Sequence, residues 1–196
     1  MPLLLLLRPL AAVNTWVLRL CRQLAWMALA LMVLVILTQV FFRYVLNNAL
    51  AWPDEAARFL MLWMAGLMAP SAMRWSGFVA IDMLPSALPQ RAGRLLMLVL
   101  LIMSLAVLLV AVGHGYNHTF GFGGKFASSS LRLPLDWFGG QAVKVQLKYM
   151  YGALFTCVVL LISVTVELIL RNLVQLIRPD AALPSDDALQ IPLESE

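Results

Sequence analysis

NALAWPDEAARFLMLWMAGLMAPSAMRWSGFVAIDML, residues Asn48–Leu84, is one helix-sized apolar unit with charge at both ends. Asp54, Glu55 and Arg58 open it, and Arg74 and Asp82 close it. Pro53 suits the first helical position, where its missing N–H costs nothing. Asp54 and Glu55 then fall in the first turn, where the helix dipole favours anions. Arg58 follows Asp54 by four residues and Glu55 by three, so the three share a face. Phe59–Met73 carries no charge but is short for a hydrocarbon core, which takes ~20 apolar residues. Arg58 and Arg74 can reach to the headgroups with their long stems, so the helix still crosses. Ala65, Ala69 and Ala72 make a small-residue stripe, with Gly66 beside it, of the kind that lets helices approach closely in lipid. Pro70 is placed to kink the end.

Working outward, three more stretches have the same character. The chain has 196 residues, 62% of them hydrophobic and 12% charged, with a mean hydropathy of +0.88. Soluble domains carry roughly 25% charged residues. The pattern predicts an all-α membrane protein with four transmembrane helices. Helix 1 is expected from about Leu20 to Leu46, helix 3 from about Arg94 to Val112 or beyond, and helix 4 from about Lys144 to Leu170. Within Met1–Arg22, before helix 1, a segment is expected to lie along the membrane interface, and Asp82 to Arg91, between helices 2 and 3, is expected to form a short interfacial helix or turn. The first apolar run is longer than the 7–15 residues of a signal-peptide core, so it reads as an uncleaved span. Gly113–Trp137, rich in Gly and Ser, reads as a connection. Residues 1–178 form a single four-helix membrane domain. Residues 179–196, with three prolines and five acidic residues, read as a disordered tail.

Basic residues near the spans set orientation. With both termini inside, Arg8, Arg19, Arg22, Arg74, Arg91, Arg94, Arg171 and Arg178 lie on the inner side. Arg43, Arg58, Lys125, Arg132, Lys144 and Lys148 lie on the outer side. The excess is small, and the cluster before helix 1 strengthens it. The expectation is N-in, C-in, with both termini cytoplasmic.

The chemistry offered by the sequence is sparse. Intramembrane ionisable residues mark substrate paths or proton relays, and the middles of the four expected spans carry none. Neither an inverted repeat nor a broken helix is visible, both of which are common in self-sufficient transporters. This favours a subunit of something larger. No basic run alternates with aromatics, which argues against nucleic-acid binding. Cys21 and Cys157 follow no metal or redox spacing. His114 and His118 stand four apart and would share a helical face as haem or metal ligands. Glycines surround them, so a loop or interfacial role is the stronger reading, and neither a metal site nor a cofactor is expected. Asp54, Glu55 and Asp82 have no catalytic partners in the sequence. Helix capping and anchoring explain them, with pairing to charges on a partner subunit as the sharper alternative.

Trp52, Glu55, Arg58 and Trp63 form the run W-x-x-E-x-x-R-x-x-x-x-W. Gly66 follows, then Arg74 and Gly77, then Val79, Ile81 and Asp82. This series resembles the small membrane (Q-type) subunit of the TRAP transporters, tripartite ATP-independent periplasmic systems. Arg43-Tyr44 at the end of helix 1 fits the same pattern, and Ser130-Leu131-x-Leu133-Pro134 resembles a looser second signature. Phe78 stands where many relatives have a histidine.

The resemblance implies a non-catalytic bacterial inner-membrane subunit, not an enzyme. Its partners would be a large membrane subunit, a periplasmic substrate-binding protein and the surrounding lipids. The system would import an organic acid coupled to sodium, with this chain as scaffold. Trp52, Asp54, Glu55, Arg58, Trp63, Gly66, Arg74 and Asp82 would serve the subunit interface or anchor helices. Two other readings stay open from the sequence: a small haem-binding redox protein using His114 and His118, and a homo-oligomeric channel.

Overall fold

The structure is a computed structural model and describes residues 2–48, 50, 52–75, 88–133 and 143–177. Four long helices dominate it: α1 (Pro2–Tyr44), α2 (Trp52–Arg74), α3 (Gln90–Phe120) and α4 (Lys148–Ile177). All four are long and apolar enough to cross a membrane. The all-α, four-span expectation therefore holds.

The helices pack in the order α1, α2, α4, α3. α2 contacts α1 on one side and α4 on the other, α3 packs on α4, and α1 reaches α4 more lightly. α1 and α3 thus form the margins, and they bury little of their apolar length inside the chain. In lipid this carries no penalty, because acyl chains solvate Leu as well as a protein interior does. Cys21, Ala25 and Leu67 form the central contact, flanked by Val17, Trp63, Met64, Met68 and Leu160.

α1 departs from expectation. No separate interfacial helix precedes the span, since one helix runs from Pro2 to Tyr44. Leu7, Ala11, Leu18, Cys21 and Ala25, with Asn14 among them, are all buried. They recur at alternating steps of four and three, the seam by which a helix lies along its neighbours. The same seam serves the membrane span and the segment before it, so nothing breaks the helix between them. At the other end Asn47 adopts φ 53°, a left-handed value that Asn tolerates. The Asn48 N–H then closes on Phe42 O at 3.0 Å.

Two further boundaries move. α3 continues through Gly113–Phe120, where a connection was expected. It stops at Gly121, whose N–H bonds Asn117 O at 2.9 Å; a Cβ there would lie 2.1 Å from that oxygen. A short 3-10 turn (Phe122–Lys125) follows, then strands β1 (Ala127–Leu133) and β2 (Val143–Gln146), paired antiparallel. Lys144 therefore lies in a strand, and the last helix begins at Lys148 and extends past Leu170 to Ile177. The hairpin was not expected from the sequence. Gly77, Phe78, Val79, Ile81, Asp82, Pro134 and the tail 179–196 lie outside the described residues.

Candidate functional site

The most polar place in the described structure is a buried layer joining three helices. Glu167 of α4 is fully buried, Arg74 at the end of α2 is 3% exposed, and Arg171 of α4 is 7% exposed. One carboxylate oxygen of Glu167 accepts from Arg74 Nη2 at 2.9 Å and from Arg171 Nη2 at 2.7 Å. It also accepts from Arg74 Nε and Arg171 Nε at 3.2 and 3.0 Å. The other oxygen accepts from the Asn14 amide of α1 at 2.7 Å. Ser163 donates to Asn14 Oδ1 at 2.6 Å. Arg74 Nη1 also donates to Thr15 Oγ1 at 2.8 Å, and its Nη2 to Ala11 O at 3.3 Å.

Each part follows from local structure. Glu167 and Arg171 are one helical turn apart with the acid first, the favourable order. Arg74 ends α2, where the helix dipole welcomes a cation. Asn14 is the polar member of the buried seam of α1. Burying a carboxylate alone costs many kcal/mol, and only pairing with further hydrogen bonds makes it tolerable. Here both carboxylate oxygens are taken up by donors of this chain. The layer joins α1, α2 and α4 through these bonds.

The opposite end of α2 is arranged differently. Asp54 is exposed and accepts from Gln39 Nε2 of α1 at 2.8 Å. Trp52 and Arg58 are exposed, and Glu55 is half-buried. Asp54 and Arg74 are about 30 Å apart along the helix axis, the thickness of a hydrocarbon core. Trp63 donates its indole N–H to Tyr149 O at 3.1 Å, tying α2 to the start of α4.

Gly66 makes a close approach to α4 within this chain. A Cβ on Gly66 would stand 2.9 Å from Ala153 O and 3.5 Å from the Cys157 side chain. Ala65 is exposed, while Ala69 and Ala72 are half-buried. The inward face of α2 instead carries Ala56, Leu67, Pro70, Ser71 and Arg74. His114 and His118 lie on α3 rather than in a loop, both exposed. The His118 ring sits 5.9 Å from that of Tyr151. Asp82 lies outside the described residues.

Reading the sequence missed Asn14, Ser163, Glu167 and Arg171 as one site. The available signal was a Glu–Arg pair at i, i+4 inside an otherwise apolar helix, and a lone Asn on an apolar seam. What joins them to Arg74 is tertiary packing.

The family profile for tripartite ATP-independent periplasmic transporters, DctQ component, matches residues 32–175. The chain belongs to the DctQ family. No curated protein and no solved structure gives a significant match. DctQ components work in a tripartite complex with a large membrane subunit and a periplasmic binding protein. In this DctQ component the matched region contains α2 whole, with Arg74, Glu167 and Arg171, and the pair Gln39–Asp54. Asn14 and Thr15 precede it. The layer therefore couples the matched part of the chain to the N-terminal part of α1 outside it.

Proposed function

We propose that this DctQ component is a non-catalytic scaffold in sodium-coupled uptake of an organic acid across a bacterial inner membrane. A periplasmic binding protein delivers the acid and the large membrane subunit carries it. Both termini of this chain face the cytoplasm, and the connections that follow α1 and α3 face outward, where they help dock the binding protein.

The observation that carries the scaffold reading is the state of the buried charge. Both oxygens of Glu167 are engaged by Arg74, Arg171 and Asn14, so this carboxylate is committed to its own chain. Meanwhile α1 and α3 present long exposed apolar flanks, such as Leu31, Leu34 and Leu37, and Val99, Met103 and Val107. Large apolar surfaces, with no open polar site among the described residues, suit packing against a partner and lipid. Trp52, Asp54 and Arg58, exposed at one end of α2, are the charged and aromatic groups offered to that partner.

Deleting the chain tests the proposal. Uptake by the reconstituted system should be lost while the binding protein keeps its affinity for substrate. Affinity purification in mild detergent should recover a large polytopic protein with the tagged chain. Uptake at normal rates without the chain would overturn the scaffold reading.

A further inference from the structure

The glycines around His114 and His118 point to a loop, yet α3 runs through both histidines to Phe120. The two imidazoles therefore stand one helical turn apart on the same face, on Cβ atoms ~5–6 Å from each other. Asn117, three residues after His114, shares that face. All three side chains are exposed. Among the described residues no hydrogen bond or ion pair engages any of the three side chains. The His118 ring stands 5.9 Å from that of Tyr151 on α4, at the end of the bundle away from the Arg74–Glu167 layer.

Two histidines at this spacing on one helical face converge on a single metal ion, as in the H-x-x-x-H part of a zinc helix. Imidazole nitrogen suits zinc, copper and nickel, whereas magnesium and calcium take oxygen donors. His118 lies in the last turn of α3, where the helix dipole favours a cation. Gly115 stands beside His114 where a hydrolytic zinc helix carries Glu as general base. It faces α4 instead, and a Cβ there would lie 3.3 Å from the Phe155 ring. The arrangement therefore holds an ion without a base to activate its water. Among the described residues no three His, Cys, Asp or Glu side chains gather at one point. Coordination positions are left for water or for a donor from a partner.

We propose that His114 and His118 chelate one divalent ion of the zinc, copper and nickel group near the C-terminal end of α3. The Asn117 carboxamide oxygen is a weaker third donor. The ion ties one helical turn to the next just before α3 stops at Gly121, and so stiffens the end of the helix. The inference goes beyond the scaffold reading. It depends neither on the orientation of the chain in the membrane nor on its partners.

The test uses the full chain in mild detergent, purified through a tag free of histidine, with zinc chloride as the probe. Calorimetric titration should show one zinc ion per chain. His114→Gln and His118→Gln should each weaken binding by about tenfold or more, since even groups that only support a ligand are worth that much. Asn117→Ala should weaken it less than either. Zinc should raise the thermal midpoint of the unaltered chain, because it binds the folded state. The double variant, His114→Gln with His118→Gln, should show no such rise. Without zinc its midpoint should equal that of the unaltered chain, because both side chains are exposed and unbonded, and this equality shows that the variant folds. Magnesium chloride at the same concentration should change nothing. No zinc binding by the unaltered chain would overturn the proposal. Full affinity in either single variant would also overturn it, and would mean an adventitious ion only. The scaffold reading fails on uptake instead, so the two failures are distinguishable.

Discussion

Glu167 and Arg74 are 93 residues apart in sequence and meet at 2.9 Å in the interior, with Glu167 wholly buried and the Arg74 side chain 2% exposed. The contact joins α4 to the end of α2, and through Asn14 and Thr15 it draws in α1. Three of the four helices are therefore fixed by one carboxylate.

Removing that carboxylate should be costly. Glu167→Ala leaves Arg74 and Arg171 buried without the carboxylate they share, and losing one partner of a buried pair costs roughly 3–5 kcal/mol. We expect a large drop in the thermal midpoint of the detergent-purified chain. Replacing Arg74, Glu167 and Arg171 together by apolar residues of similar size should lose less than Glu167→Ala alone. A triple variant less stable than the single one would mean that the layer is not governed by buried charge.

Asn14→Leu should destabilise by a smaller amount, about 1–3 kcal/mol, because it leaves one oxygen of Glu167 short of a donor. Its effect should also be local. Proteolysis or hydrogen exchange should rise in the first half of α1 before the rest. Uniform loosening of all four helices would contradict a clamp specific to α1.

Gly66 offers a steric test. Gly66→Ala places a Cβ 2.9 Å from a backbone oxygen, which cannot rotate away. Forcing extra atoms into such a contact costs about 1–3 kcal/mol. Gly152→Ala, where a Cβ would meet nothing within 4 Å, should be neutral or stabilising by up to ~1 kcal/mol from helix propensity. Equal thermal midpoints for the two variants would show that α2 and α4 do not approach as closely as described.

The exposed end of α2 should separate stability from function. Asp54→Ala breaks only the exposed bond from Gln39, for which surface values below ~1 kcal/mol apply. Combined with Arg58→Ala, it should leave the purified chain stable but reduce recovery of the large subunit and slow uptake. Normal uptake by the double variant would remove this end from the candidate interface.

Much of the architecture was legible because lipid imposes strong patterns on sequence. Apolar runs such as Leu95–Val112 identify spans without any knowledge of packing, since the bilayer demands length and an internally bonded backbone. Capping chemistry placed the start of α2 at Trp52–Pro53. Gly113 and Gly115 misled, because glycine is only a weak breaker when a helix is packed. A Cβ on Gly115 would sit 3.3 Å from the Phe155 ring, so the neighbour holds the helix on. The hairpin β1–β2 was missed because its short strands carry little alternation.

By itself the sequence determined the number of spans and the resemblance to the small subunit of a tripartite transporter. These depend on local composition and on motifs contiguous in the chain, which the bilayer as solvent makes readable. Only the tertiary structure decided what Arg74 does. From the sequence it was a headgroup anchor at the end of a short span, and in the fold it is the buried partner of Glu167. The same holds for Pro2–Leu20, which became part of α1 because Asn14 and its seam find partners on α2 and α4. A charge has no fixed meaning until its neighbours are known, because burial makes an unpaired ion prohibitive. Partners far apart in sequence meet only when the helices pack.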